Sequence, residues 1–291
     1  MKKSQSTGRC AALAFAMLSL SAPALLAQAE GTRLVFVNGR SLPIANVTAD
    51  GGKFTVKTAA EGFQAGNSFT LAQVSHVSGE KPAEISKGIG LMLMDESAQA
   101  LSLLEPVVKE QRASATVPGN YWLEAARATV LAYSLSNEPA KAETLGKEIS
   151  EITPESGVDP TLRLGQALMT PLTVKFDDRV AKLTEQINDS NPVEVSAYAA
   201  YFRGKLLKKI NEPERQEAAL ISFLSIGCLY PASGLILTSA AEMNAAELVK
   251  VKPGDSEKRR GEALALLTSA ARGSKGTVVG VAAGKALEGL K

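Results

Sequence analysis

Residues 211–231, NEPERQEAALISFLSIGCLYP, set the fold class. Asn211-Glu212-Pro213 ends one segment and opens another, because proline fixes φ and needs no partner for an N–H in a first helical turn. Ala219 and Phe223 then stand four apart, at helical spacing, before Pro231 closes the stretch. The same tripeptide recurs as Asn137-Glu138-Pro139, again ahead of an apolar, helix-periodic run.

Working outward, every segment after Pro82 reads as helix. Ala-rich runs of ordinary helical length alternate with short Pro, Asn, Asp and Gly breaks. Eleven helices are expected, at 83–94, 96–110, 120–136, 138–151, 160–171, 175–188, 192–210, 213–228, 232–250, 256–271 and 275–290. Asp159-Pro160 and Asn191-Pro192 each place a capping side chain before a proline, and Asn191 to Glu194 reads as a capping box. One small alanine marks each second helix: Ala100, Ala142, Ala181, Ala219 and Ala263, separated by 42, 39, 38 and 44 residues. That step predicts an α-solenoid of five antiparallel helix pairs plus a closing helix, with alanine where two helices cross closely.

These positions resemble the tetratricopeptide-repeat family over residues 83–291. Ala219, Phe223 and Pro231 match its small, aromatic and proline positions; Tyr133 with Ala142, and Ala263 with Leu267 and Ala270, match in two further pairs. The step is longer than the family's 34 residues and its first-helix Trp is absent, so the repeats are divergent. The resemblance implies a binding scaffold of the bacterial envelope.

Residues 30–80 have a different period. Leu34 and Phe36, and later Phe54 and Val56, alternate with polar neighbours, as half-buried strands do. Asn38-Gly39 predicts a type I′ hairpin and Asp50-Gly51-Gly52 a second turn. Leu71, Val74 and Val77 are spaced by three, which calls for a corner. Five short, bent strands resemble an SH3-like or Sm-like β barrel, too small to stand alone and expected to lean on the first helix.

Lys2, Lys3 and Arg9, an apolar stretch from Ala11, and Ala27-Gln28-Ala29 form a signal peptide over residues 1–29 with cleavage after Ala29. The stretch is too short and too interrupted for a membrane span, and Cys10 lacks a lipobox. Export to the periplasm, rather than full secretion, is expected. Cleavage removes three cations and no carboxylate, taking the net charge of +2 to −1. Nucleic acid is not an expected partner at that balance. Cys228 would be left alone, and its apolar context reads as a buried small hydrophobe.

The chemistry tests fail one after another. His76 is the single histidine and reads as solvent-facing, so no catalytic triad and no zinc site has its ligands. Gly284-Lys285 lacks the first Gly and the final Ser or Thr of a phosphate loop, and Gly88-Ile89-Gly90 lacks a third Gly. Glu155-Ser156 resembles the Glu-Ser pair of envelope transglycosylases, the basis of the alternative reading as a cell-wall or polysaccharide hydrolase using carboxylates. The setting is a proline-flanked loop, where a solvated carboxylate is ordinary. No catalytic residue, metal or cofactor is expected.

Binding features remain. Trp122, Ala126, Thr129 and Tyr133 share a helix face and read as core. Tyr121 is offset from that face, and Tyr201, Arg203, Lys205 and Lys208 lie on the helix at 192–210. These five are the candidate partner-binding residues, in a concave groove lined by the helices at 120–136, 160–171 and 192–210. The expectation is a non-enzymatic adaptor for an envelope protein or peptide. Gly276, Gly280 and Gly284 read as a close helix contact, and Val278, Val279 and Val281 offer a face for self-association, the further alternative of a self-assembling structural subunit.

Overall fold

A computed structural model describes residues 31–153, 158–251 and 256–290. The expected signal peptide and Glu155-Ser156 lie outside the described residues. Gly31–Lys291 forms one compact unit.

Six strands open it: β1 (Arg33–Phe36), β2 (Ser41–Pro43), β3 (Val47–Asp50), β4 (Lys53–Val56), β5 (Ser68–Thr70) and β6 (Val74–Ser78). They form two antiparallel sheets, β2-β1-β6 and β3-β4-β5, and not the closed barrel expected. Two short 3-10 turns cause the division. Ile44–Asn46 separates β2 from β3, and Leu71–Gln73 separates β5 from β6 at the predicted corner. The Gln73 side chain accepts the Thr70 N–H at 2.9 Å and holds that corner.

The hairpin turns exchange roles. At Asn38-Gly39 the Phe36 N–H donates to the Arg40 carbonyl at 2.8 Å, so three residues make the loop and only Gly39, at φ 81°, is left-handed. Asp50 pairs with Lys53 across Gly51 and Gly52, at φ 52° and 77°, so the positive-φ pair typical of type I′ turns is here.

Leu34, Phe36, Leu42, Ile44, Phe54, Phe63 and Val77 bury a small core that Ala113 and Val117 complete from the helical part. The strands therefore lean on the second helix and its exit, not on the first. Gln111 donates to Thr32 Oγ1 at 2.6 Å, and the Val77 N–H donates to the Pro118 carbonyl at 3.0 Å.

Eleven helices follow among the described residues: α1 (Ala83–Leu93), α2 (Ser97–Gln111), α3 (Trp122–Leu135), α4 (Pro139–Ile152), α5 (Pro160–Leu168), α6 (Phe176–Glu185), α7 (Val193–Lys208), α8 (Pro213–Leu229), α9 (Leu235–Val251), α10 (Ser256–Gly273) and α11 (Val278–Glu288). Pro139, Pro160 and Pro213 stand at helix starts. Asp159 caps α5 by accepting the Thr161 N–H at 2.8 Å. The predicted Asn191 cap does not form: α7 starts behind Pro192, and the Asn191 side chain instead bonds the Gln186 carbonyl and Arg163. The two Asn-Glu-Pro tripeptides also differ. Asn137 adopts φ 58° and closes α3 with a Glu138 N–H to Tyr133 carbonyl bond, a Schellman ending, whereas Asn211 is not left-handed.

Consecutive helices pack on one another, and the odd-numbered helices also touch in sequence, α1 on α3, α3 on α5, α5 on α7 and α7 on α9. The series closes, because α1 packs on α9 and on α11. Ala100, Ala142, Ala219 and Ala263 are fully buried. Ala181 is exposed and Leu183 takes the buried position on α6 instead. Gly204 lets α7 meet α8: a Cβ there would lie 2.8 Å from the Phe223 ring.

Candidate functional site

The closed series of helices has two unlike ends. At one, the helices finish against each other. Tyr201 Oη donates to the Leu93 carbonyl at 2.8 Å, the Lys205 ammonium pairs with Asp95 at 2.5 Å, and Lys208 pairs with Glu247 and donates to Asn244 at 2.8 Å. At the other end, the starts of α1, α3, α5, α7, α9 and α11 surround an open cleft.

Two adjoining cavities of about 340 and 350 Å³ make this cleft, sharing Glu124, Tyr198, Ser233 and Gly234. The inner wall is aliphatic, formed by Leu123, Leu131, Leu164 and Val195. Lys81 pairs with Glu124 at the rim. Arg127 meets the fully buried Asp159 carboxylate at 3.0 Å, so the residue that caps α5 also neutralises the guanidinium. Glu194, exposed on the first turn of α7, forms no ion pair among the described residues.

Some polar atoms buried beneath the cleft surface are unsatisfied. Among the described residues, six buried side-chain polar atoms have no hydrogen-bond partner. Three of them, Arg127 Nε, Thr161 Oγ1 and Ser233 Oγ, belong to residues that line this cleft. Buried polar groups are ordinarily paired, so such a cluster calls for an explanation. Tyr198 lines both cavities at 9% exposure. Burial first, then the Glu124 and Glu194 carboxylates, push its phenol well above the ordinary tyrosine range, which keeps it a neutral O–H donor.

Four of the exposed large apolar side chains stand at helix ends. Val158 stands before α5, Val193 begins α7, Leu229 ends α8 and Leu235 begins α9, at 53, 43, 67 and 69% exposure. Of the four, Leu235 lines the cleft, and Val193 precedes the lining Glu194 in the chain.

The five predicted site residues are not brought to this place. Tyr201 is fully buried at the closed end, and burial raises its phenol too. Lys205 and Lys208 clasp Asp95 and Glu247 there. Arg203 is partly buried, with its Nε unpartnered. Tyr121 donates to the Gly79 carbonyl at 3.0 Å and joins the strands to the helices. The three helices expected to line a groove, α3, α5 and α7, do line the cleft, but Tyr201 faces the buried core instead. Sequence reasoning missed Arg127, Thr161, Tyr198 and Ser233. The legible signal was the helix starts: Asp159-Pro160 and Asn191-Pro192 fall at the cleft's edge.

Other readings resolve simply. Trp122, Ala126 and Thr129 are buried, and His76 is exposed beside Ser75. Cys228 is exposed, not buried: α8 buries Ala219, Ser222, Phe223 and Ile226, and residue 228 falls on the outer face. Val279 lies in the core while Val281 is exposed. Gly280 fits against the backbone of Ser274 in its own turn, and Gly284 faces open space, so neither mediates the close helix contact expected. No helix among the described residues is long and apolar enough to cross a membrane. Comparison of the chain with protein-family models, with curated proteins and with solved structures finds no match.

Proposed function

We propose that this chain is an exported, periplasmic, non-enzymatic adaptor that binds a polypeptide partner at the open end of its helical part. In this reading the helices are divergent tetratricopeptide-like pairs with a closing helix, and the binding surface is the cleft between α3, α5 and α7. The observation that carries it is a formed cleft with an aliphatic wall between α3, α5 and α7, with the exposed Leu235 on the lining of its adjoining half. Scattered exposed apolar side chains are normal, but an apolar-walled concavity with an exposed leucine on its lining is what interaction sites display.

The test compares the protein lacking residues 1–29 with a Leu229→Glu/Leu235→Glu double variant as baits in cell-envelope extract. Both positions are exposed, so the variant keeps its stability to within about 0.5 kcal/mol. Specific retention of a protein by the parent, lost in the variant, is the expected result. Equal retention by both, or none by the parent in mild salt, overturns the reading.

A further inference from the structure

We infer that the free edge of strand β3 is a second docking site, which takes an extended, acidic segment of a partner polypeptide as an added strand between β3 and α2. This site shares no lining residue with the cleft and does not rest on the reading of that end.

The hydrogen-bond register leaves part of β3 unpaired. Asp50 and Lys53 flank a two-residue turn, and the Lys57 N–H donates to the Asn46 carbonyl at 2.8 Å. In an antiparallel ladder, opposite residues alternate between bonded and non-bonded pairs. Asn46, Thr48 and Asp50 therefore turn their main-chain groups toward β4, while Val47 and Ala49 turn theirs outward. The Val47 N–H is taken by the Ile44 carbonyl. The Val47 carbonyl and both main-chain groups of Ala49 have no partner among the described residues. The other edges are each interrupted. Pro43 denies β2 an N–H, the Gln73 side chain takes the Thr70 N–H of β5, and Val77 of β6 donates to the Pro118 carbonyl. Proteins ordinarily blunt sheet edges by such means.

A cavity of about 530 Å³ opens along the β3 edge. Val47, Thr48 and Ala49 all line it. Successive side chains of a strand point to opposite faces, so a space that touches all three lies beside the strand and not over one face. Pro106, Lys109 and Glu110 of α2, with Ala113 just beyond it, supply the other wall. The complement of an outward N–H flanked by two outward carbonyls is extended polypeptide, which offers both groups at strand spacing. A helix satisfies its own main chain and cannot.

Charge selects the segment. The lining carries Lys57, Lys109 and Arg112 against Glu110. Glu148 pairs with Arg112, and Glu105, one turn before Lys109, accepts the Tyr133 hydroxyl at 2.8 Å. Lys57 and Lys109 form no ion pair among the described residues, and both are exposed. Asp50 stands at the turn end of β3, off the lining. Two uncommitted cations against one carboxylate favour acidic side chains on the added strand and disfavour basic ones.

The probes are acetyl-Val-Glu-Val-Glu-Val-amide and its counterpart with Lys for both Glu residues, added to the chain from Glu30 onward. Amide hydrogen exchange by NMR is the readout. The Ala49 amide is expected to exchange about tenfold more slowly with the acidic peptide bound, while that of Thr48, already in the ladder with β4, is unaffected. The acidic peptide should bind about fivefold more tightly than the basic one, the scale of two exposed ion pairs. Lys57→Glu/Lys109→Glu should reverse that order. Ala49→Pro removes the outward N–H and should abolish binding; proline is tolerated at such an edge position, and the melting temperature checks this. If that variant does not fold, Ala49 exchange and the charge reversal still decide.

No binding of either peptide, binding without slowed exchange at Ala49, or equal affinity for the two peptides overturns the inference. Slowed exchange at Ala49 that grows with protein concentration alone assigns the edge to a second copy of this chain and overturns the partner segment. The Leu229→Glu/Leu235→Glu variant should bind the acidic peptide as the parent does.

Discussion

Glu242, partly buried on α9, shows how one side chain can tax the fold. Its carboxylate accepts the Ser269 hydroxyl at 2.8 Å, but burial dominates and raises its pKa above the ordinary 4.5. A carboxyl whose folded pKa lies above its unfolded value favours folding less once both states are ionised. Glu242→Gln keeps the acceptor oxygen and removes the charge. It should therefore raise stability at neutral pH, with the gain shrinking to zero as pH falls from the raised value through 4.5. Urea unfolding of both proteins across pH 4 to 8 measures this; a gain that grows toward acid pH would refute it. Residue identity alone did not reveal this cost, because exposure of a helical Glu depends on the neighbouring helix. The same holds for Tyr201, whose aromatic ring and hydroxyl suit an exposed binding site or a buried hydrogen bond equally. The partner that decided between them, the Leu93 carbonyl, lies 108 residues away.

Helix α5 makes the corresponding point for elements. Its start is held by Asp159, which caps Thr161 and pairs with Arg127 at full burial. Asp159→Ala removes both contacts and leaves Arg127 in a largely buried site, at a cost of about 3–5 kcal/mol. Asp159→Asn keeps a capping oxygen and should recover roughly 1 kcal/mol of that loss. Equilibrium unfolding in urea ranks the three proteins; an alanine variant within 1 kcal/mol of the parent would show that the pair does not support α5. Local chemistry of this kind was readable beforehand, and so the helix spans were legible. Proline at helix starts and buried small residues such as Ala100 and Ala219 speak through their own chain neighbourhood. The third pair was misjudged because α6 buries Leu183 where a steady step had pointed to Ala181. The strands were legible by alternation, but not their separation into two sheets, since 3-10 turns at Ile44–Asn46 and Leu71–Gln73 leave no strong pattern.

At the scale of the whole molecule, the decisive fact is that the first helix is held by the last ones. In an open array of repeats each unit touches only its neighbours, and stability is nearly a sum of local terms that can fray from an end. Here α1 packs on α9 and α11, and Val279 of α11 is fully buried in the same core as Ile89 and Leu131. A defect in α11 should therefore be felt in α3. Val279→Ala is the direct probe, costing about 2 kcal/mol by analogy with other large-to-small core changes. The single tryptophan, Trp122 at the start of α3, reports unfolding more than 150 residues from the substitution. Circular dichroism reports all helices together. If closure makes the unit cooperative, the two signals share one urea midpoint in the parent, and both midpoints fall together in the variant. An open array would instead lose its C-terminal helices first, lowering only the dichroism midpoint and leaving Trp122 in place. Coincident shifts would also bear on the site. The proposed binding cleft lies between α3, α5 and α7, helices that such cooperativity would hold in place from α11.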